Sequence, residues 1–106
     1  MTKVIVLLSK KAEMSQEEFA RHWRDVHGAI AVRMPGVRRY VQNHVTVEGA
    51  PYDGIAEMWF DSPAAMRAAF TSEAAQEAAR DAANFLSGQQ VIVVEEIEMT
   101  LPASFD

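Results

Sequence analysis

Val4-Ile5-Val6-Leu7-Leu8 starts almost at the N-terminus and stops at the polar Ser9-Lys10-Lys11. A short, unbroken, β-branched run of this kind reads as a strand buried on both faces, because a strand with one wetted face alternates. A second such run, Val91-Ile92-Val93-Val94, lies near the start of the last expected element, Gln90 to Met99. The fold follows from how the residues in between connect the two.

After the first run, Ser15 with Glu18 three residues later is a capping-box signature, and Phe19, Trp23, Val26, Ile30 and Met34 recur at helical spacing until Pro35-Gly36 stops them. This predicts an amphipathic helix of about five turns. Val37 to Val47 interleaves Val, Tyr and Thr with polar residues, Glu48 to Gly54 supplies turn residues, and Ile55 to Phe60 is extended again, so a β-hairpin is expected. Asp61-Ser62-Pro63 is a helix start for Ala64 to Phe70, Ser72 caps a second piece from Glu73 to Phe85, and Gly88 is expected to close it.

The order βαββαβ predicts an α+β, ferredoxin-like domain, a four-stranded antiparallel sheet with its helices on one face. With 106 residues and 11.8 kDa there is room for one domain, read as residues 1–100 with a C-terminal tail at 101–106. The other sheet face would then meet water, yet both end strands are apolar on both parities: Val4, Val6 and Leu8 oppose Ile5 and Leu7, and Val91 and Val93 oppose Ile92 and Val94. Burying one such side chain contributes about 1.5 to 3 kcal/mol, so wetting four would forgo a stabilisation comparable with a domain's net stability. A homodimer that stacks two sheets into a barrel-like sandwich about a two-fold axis is therefore expected.

Composition narrows the function. A formal charge of −5 and a pI near 5.1 oppose binding to nucleic acid or to an anionic membrane. The absence of cysteine removes disulfides, thiolate nucleophiles and Cys-based metal sites. No apolar run is long enough for a membrane span or a signal-peptide core, which points to a cytoplasmic chain. The three histidines, His22, His27 and His44, lack the spacings common in metal sites; on an α-helix His22 and His27 lie roughly 140° apart, so no metal is expected.

His22 and His27 both lie at the rim of the apolar stripe, and periodicity alone does not choose between them as an acid or base near neutral pH. Gly28 leaves room beside His27. Tyr40 shares its strand parity with Gln42 and His44, and can meet His27 only if that parity points to the helices. The next strand then offers Ala56, Met58 and Phe60, or else Ile55, Glu57 and Trp59; the first set is favoured because it is smaller and apolar and leaves a cavity. Glu57 would then face the partner with Arg39 as a candidate cation, and the Ala-rich helix would pack close on the sheet.

Phe19-Ala20-Arg21-His22-Trp23-Arg24-Asp25-Val26-His27-Gly28, Met34-Pro35-Gly36-Val37-Arg38-Arg39-Tyr40 and Gly54-Ile55-Ala56-Glu57-Met58-Trp59-Phe60 together resemble the EthD family over nearly the whole chain. The resemblance implies a dimeric α+β barrel related to cofactor-independent polyketide cyclases, quinone-forming monooxygenases and a muconolactone methylisomerase, with substrate held between helices and sheet. It implies a histidine and tyrosine pair at His27 and Tyr40; Met58 stands where the methylisomerase has a cysteine, and Gly28-Ala29 lacks the proline common after this histidine.

The expected function is thus a cofactor-independent enzyme (isomerase, cyclase or monooxygenase-like) for a small apolar cyclic or aromatic molecule. His27 would move a proton, Tyr40 with Gln42 or Asn43 nearby would bind an oxyanion, and Trp23, Gln42, His44, Met58 and Phe60 would contact substrate. The rival is a non-catalytic protein that binds a hydrophobic metabolite or assists a separate oxygenase. A purely structural dimer module would instead have a filled core.

Overall fold

The computed structural model describes residues 1–103; the end of the tail, 104–106, lies outside the described residues. Strand β1 (Thr2–Lys10) leads to a long helix in three parts: α1 (Gln16–Arg21), a π-helical segment (His22–His27) and α2 (Gly28–Ala31). Then come β2 (Arg39–His44), β3 (Gly54–Phe60), α3 (Pro63–Phe70), α4 (Glu73–Phe85) and β4 (Leu86–Val94). The capping box forms as written in the sequence, Glu18 N–H donating to Ser15 Oγ at 3.1 Å and Ser15 N–H to Glu18 Oε1 at 2.9 Å. Ser62 and Ser72 cap α3 and α4 with the side-chain half of that arrangement alone, accepting from the Ala65 and Ala75 N–H groups, and Pro63 lies in the first turn of α3.

The sheet runs β2-β3-β1-β4 with every neighbouring pair antiparallel, the ferredoxin-like arrangement. Several boundaries depart from the sequence reading, β2 being shorter than Val37 to Val47 and β4 starting and ending earlier than Gln90 to Met99. Gly88 does not close α4: Leu86 follows Phe85 directly into the strand because its side chain is buried in the core, and Gly88 sits inside β4 opposite Ser9. The strand therefore ends at Val94 rather than Met99, and beyond it Glu96 turns its carboxylate onto Lys3 and the Trp59 indole.

Register assigns the faces. Tyr40, Met58, Val4 and Val93 form one row toward the helices, Gln42, Ala56, Val6 and Val91 the next, and His44, Gly54, Leu8 and Gln89 a third. Against them pack Phe19, Trp23 and Phe85, all essentially buried, with Phe19 5.7 Å from both of the other rings. The opposite parity faces away from the helices, with Arg39, Trp59, Lys3 and Val94 in one row, where Trp59 and Lys3 are buried beneath Glu96, and Val41, Glu57, Ile5 and Ile92 in the next. Here Glu57 pairs with Lys3 at 2.7 Å and not with Arg39, which lies over the Trp59 ring at 4.6 Å, because Arg39 stands directly opposite Trp59 in the register. Among the described residues no helix is long and apolar enough to cross a membrane.

Candidate active site

The π-helical segment builds the site. Gly28 N–H bonds the Trp23 carbonyl five residues back, so the segment holds one residue per turn more than an α-helix would. That rotates the residues after Trp23. Val26, which α-helical spacing puts in the core stripe, is 45% exposed, and the next residue, His27, turns inward with its side chain 13% exposed. Residues five apart also come nearly into line, so His22 and His27 meet on one carboxylate instead of lying on different sides of the helix.

That carboxylate is Asp81 of α4, buried at 7% exposure. His27 Nδ1 lies 2.9 Å from Asp81 Oδ2, His22 Nε2 is 2.9 Å from Oδ1, and Asn84 Nδ2 donates to Oδ1 at 3.1 Å. A carboxylate only accepts, so each facing ring nitrogen is the protonated one. For His27 this fixes the Nδ1–H tautomer and leaves Nε2, with its lone pair, for the cavity that the residue lines. Phe85 lies beneath both rings, at 4.7 Å from His22 and 5.0 Å from His27, and limits their rotation.

Burial holds the His27 imidazole below its usual pKa, outweighing the opposing pull of Asp81, so the ring is neutral at pH 7. Burial pushes the Asp81 carboxyl up, but hydrogen bonds from Asn84, His27 and His22 together take it below its ordinary value. An ionised Asp81 orienting a neutral His27 is the arrangement a general base requires.

Tyr40 reaches the same cavity from β2, and its hydrogen-bonding sense can be deduced. Gln42 Nε2 donates to the Trp23 carbonyl and to Tyr40 Oη, both at 2.9 Å, using its two hydrogens, while its Oε1 accepts from His44 Nε2 at 2.9 Å. Tyr40 accepts from Gln42, so its own hydrogen is free for an oxygen in the cavity. Burial raises the phenol pKa against the opposing influence of Gln42 and Trp23, keeping it protonated. Gly28 makes the network possible: a Cβ there would stand 3.0 Å from Gln42 Nε2 and 3.2 Å from the Trp23 carbonyl.

The cavity between helices and sheet has a volume of about 220 Å³. Val6, Leu8, Ala56 and Met58 form its sheet side, and Ala75, Ala78 and Ala79 its α4 side. The alanines, expected to draw the helix close, instead leave space that larger side chains would fill. Exposed Ala79, Gln89 and Val91 mark the mouth between α4 and β4.

Of the expected site residues, His27, Tyr40, Trp23 and Met58 line this cavity and four do not; Asn43 lies on the opposite strand parity from Tyr40 and donates to Glu57 at 3.0 Å on the outer face. Gln42 lies behind Tyr40, His44 stacks on Trp23 with centroids 4.5 Å apart, and Phe60 packs on Phe70, which itself lines the cavity. Asp81, Asn84 and the convergence of His22 were missed. One signal was present: Ala74, Ala78, Asp81 and Phe85 follow helical spacing, which places a lone carboxylate on the inward stripe of an alanine-rich helix.

Comparison with known proteins agrees with this architecture. A Rhodococcus erythropolis protein, an uncharacterized 11.0 kDa product of the thcB-thcC intergenic region, is 29% identical over 105 residues, 96% of this chain and all of that one. An EthD family protein from Bacillus halodurans superposes with a TM-score of 0.80 at 20% identity, covering 92% of this chain and 99% of the other. A dimeric protein of unknown function and ferredoxin-like fold from Bacteroides fragilis gives 0.73 at 13% identity over 90% and 95% of the two chains. At these identities the structural likeness shows the fold alone. The EthD domain model matches residues 11–89, three quarters of the sequence and all of the elements that build the cavity except β1 and the end of β4, and the chain belongs to the EthD family.

Proposed function

We propose that the protein is a cofactor-independent acid–base enzyme for a small, apolar cyclic or aromatic molecule, carrying out an isomerisation, cyclisation or monooxygenase-like reaction. The observation that supports this most is the pairing of a base and an acid in one apolar cavity: His27, oriented by Asp81 with Nε2 left over, and Tyr40, oriented by Gln42 with its hydrogen left over. His27 Nε2 takes a proton from carbon or oxygen, and the Tyr40 hydroxyl donates to the oxygen on which charge then develops. Trp23 and Met58 contact the ring of the substrate; Gln42, His44 and Phe60 act from behind the lining.

The proposal includes a homodimer formed through the uncovered sheet face, where Ile92 is 42% exposed beside Ile5, and a cytoplasmic location in keeping with a cysteine-free chain. The Bacteroides fragilis protein of like fold is dimeric, which supports the first of these.

Proton transfer is measurable without the natural substrate. A ring ketone incubated with the protein in deuterium oxide should exchange its acidic hydrogens, and His27→Ala should slow that exchange about 10² to 10⁴-fold, with Tyr40→Phe slowing it less. Rates unchanged by both substitutions would overturn the catalytic reading. A wild-type protein that binds the ketone without exchange would instead support a carrier or accessory role.

A further inference from the structure

The cavity contains an acid and a base but no cation. Among the described residues none of its lining side chains is Lys, Arg, Asp or Glu; its polar groups are the His27 ring, the Tyr40 hydroxyl, the Trp23 indole and the Gln89 amide. The nearest fixed charge in the network is negative, since Asp81 stands immediately behind His27 at 2.9 Å. Arg33 and Arg38, which could otherwise attract an anion, are exposed and paired with Glu77 and Asp61.

We infer that the cavity selects uncharged ring compounds bearing an enolisable carbonyl and rejects the corresponding carboxylates, with buried Asp81 as the discriminating charge. The inference rests on the acid–base reading above and specifies its substrate class. A carbonyl oxygen accepts the Tyr40 hydrogen, and a hydrogen on the adjacent carbon faces His27 Nε2. The C–H bond breaks as N–H forms, its electron pair becomes the enolate, and the imidazolium returns the proton to carbon or oxygen, so no oxidant or other reactant is consumed.

A ligand carboxylate at the same place would lie across one imidazole ring from Asp81. At a separation of about 8 Å and an effective dielectric of about 20, the repulsion weakens binding about 30-fold. It also loses its hydration with no cation to compensate.

The test uses 2-acetylnaphthalene and 2-naphthoate, which share a ring system and a trigonal carbonyl carbon and differ in a methyl against a charged oxygen. Affinities are measured by titration at pH 8 for the wild type and Asp81→Asn, and exchange of the ketone methyl is followed in deuterium oxide. The expected result is at least about 30-fold tighter binding of the ketone by wild type, a ratio several-fold smaller in Asp81→Asn, and exchange of the methyl hydrogens. Equal or tighter binding of the naphthoate by the wild type would overturn the inference and leave the acid–base reading standing. A ratio unchanged in a folded Asp81→Asn would overturn the role given to Asp81. Selective ketone binding without methyl exchange would sink the acid–base reading while leaving the charge selectivity intact, and failure of both compounds to bind would overturn both.

Discussion

The two faces of the sheet are made by the same four strands and largely the same residue types, yet they hold their charged groups in opposite ways. On the helix face Asp81 is buried and satisfied by three donors, His22, His27 and Asn84, and the apolar residues around it stop short of filling the space. On the outer face Lys3 is gripped by two carboxylates, Glu57 at 2.7 Å and Glu96 at 2.9 Å, while Ile92 remains exposed. The hydrogen bonds that Lys3 donates to Glu57 and Glu96 raise its pKa, so that cluster stays fully ionised near neutral pH. The difference is chemical: one face keeps a neutral imidazole with a free lone pair, and the other holds Lys3 between two carboxylates and Arg39 against the Trp59 ring. The first is suited to proton transfer and the second to assembly.

Separating the two faces by mutation sharpens the comparison. The largest effect is expected from Ile92→Asp on the outer face. In the single chain this position is exposed, so the fold should tolerate the charge, but in a two-fold interface the charge would be buried twice without a partner. Association should weaken by at least about 100-fold, and sedimentation at micromolar concentration should show a species near the 11.8 kDa chain mass. If variant and wild type sediment alike, the outer face is not the interface.

Gly54→Ala probes the helix face with a smaller expected effect. A Cβ at Gly54 would fall 2.5 Å from Trp23 Cζ3, in a buried ring that has nowhere to go, and melting should report a loss of about 1 to 3 kcal/mol. Gly88→Ala, whose Cβ meets nothing within 4 Å, serves as the control and should lose little. Equal losses at the two sites would mean that Trp23 is not packed as described.

The smallest effect concerns pH. Because burial keeps His27 below its unfolded pKa of 6.5, the unfolded chain takes up its proton first on acidification; stability should fall as the pH drops below about 6.5, until the folded imidazole is protonated too. Asp81 adds a loss at lower pH, since its depressed pKa stabilises the fold above 3.8 and that contribution disappears as the carboxylate is protonated. His44 is shifted in the same direction as His27, by burial and by Arg24, so the comparison is between wild type and His27→Gln, which should lose part of the upper slope. Identical slopes would contradict a buried, neutral His27.

Much of the fold was legible because strand parity and helix caps are local signals. A period of two leaves two sets on β3, Ala56, Met58 and Phe60 or Ile55, Glu57 and Trp59; the first is favoured as smaller and apolar, and the register puts it toward the helices. The site was legible only in part. Val26 and His27 are adjacent, and one extra residue in a turn decides which of them points inward, a choice that apolar spacing at α-helical period gets wrong. Asp81 was hidden for another reason: in an alanine-rich helix a lone carboxylate looks like an ordinary solvated residue until its partners on the first helix are known. Gly88 misled because glycine marks helix ends and open strand positions alike.

The proposed proton chemistry depends on which nitrogen of His27 is bare, and long-range ¹H–¹⁵N correlation spectra of the imidazole side chains read this directly. At pH 7 His27 should show a protonated Nδ1 and an unprotonated Nε2, and its titration midpoint should lie below 6.5. A proton found on Nε2, or a ring already cationic at neutral pH, would contradict the assignment of His27 as the base.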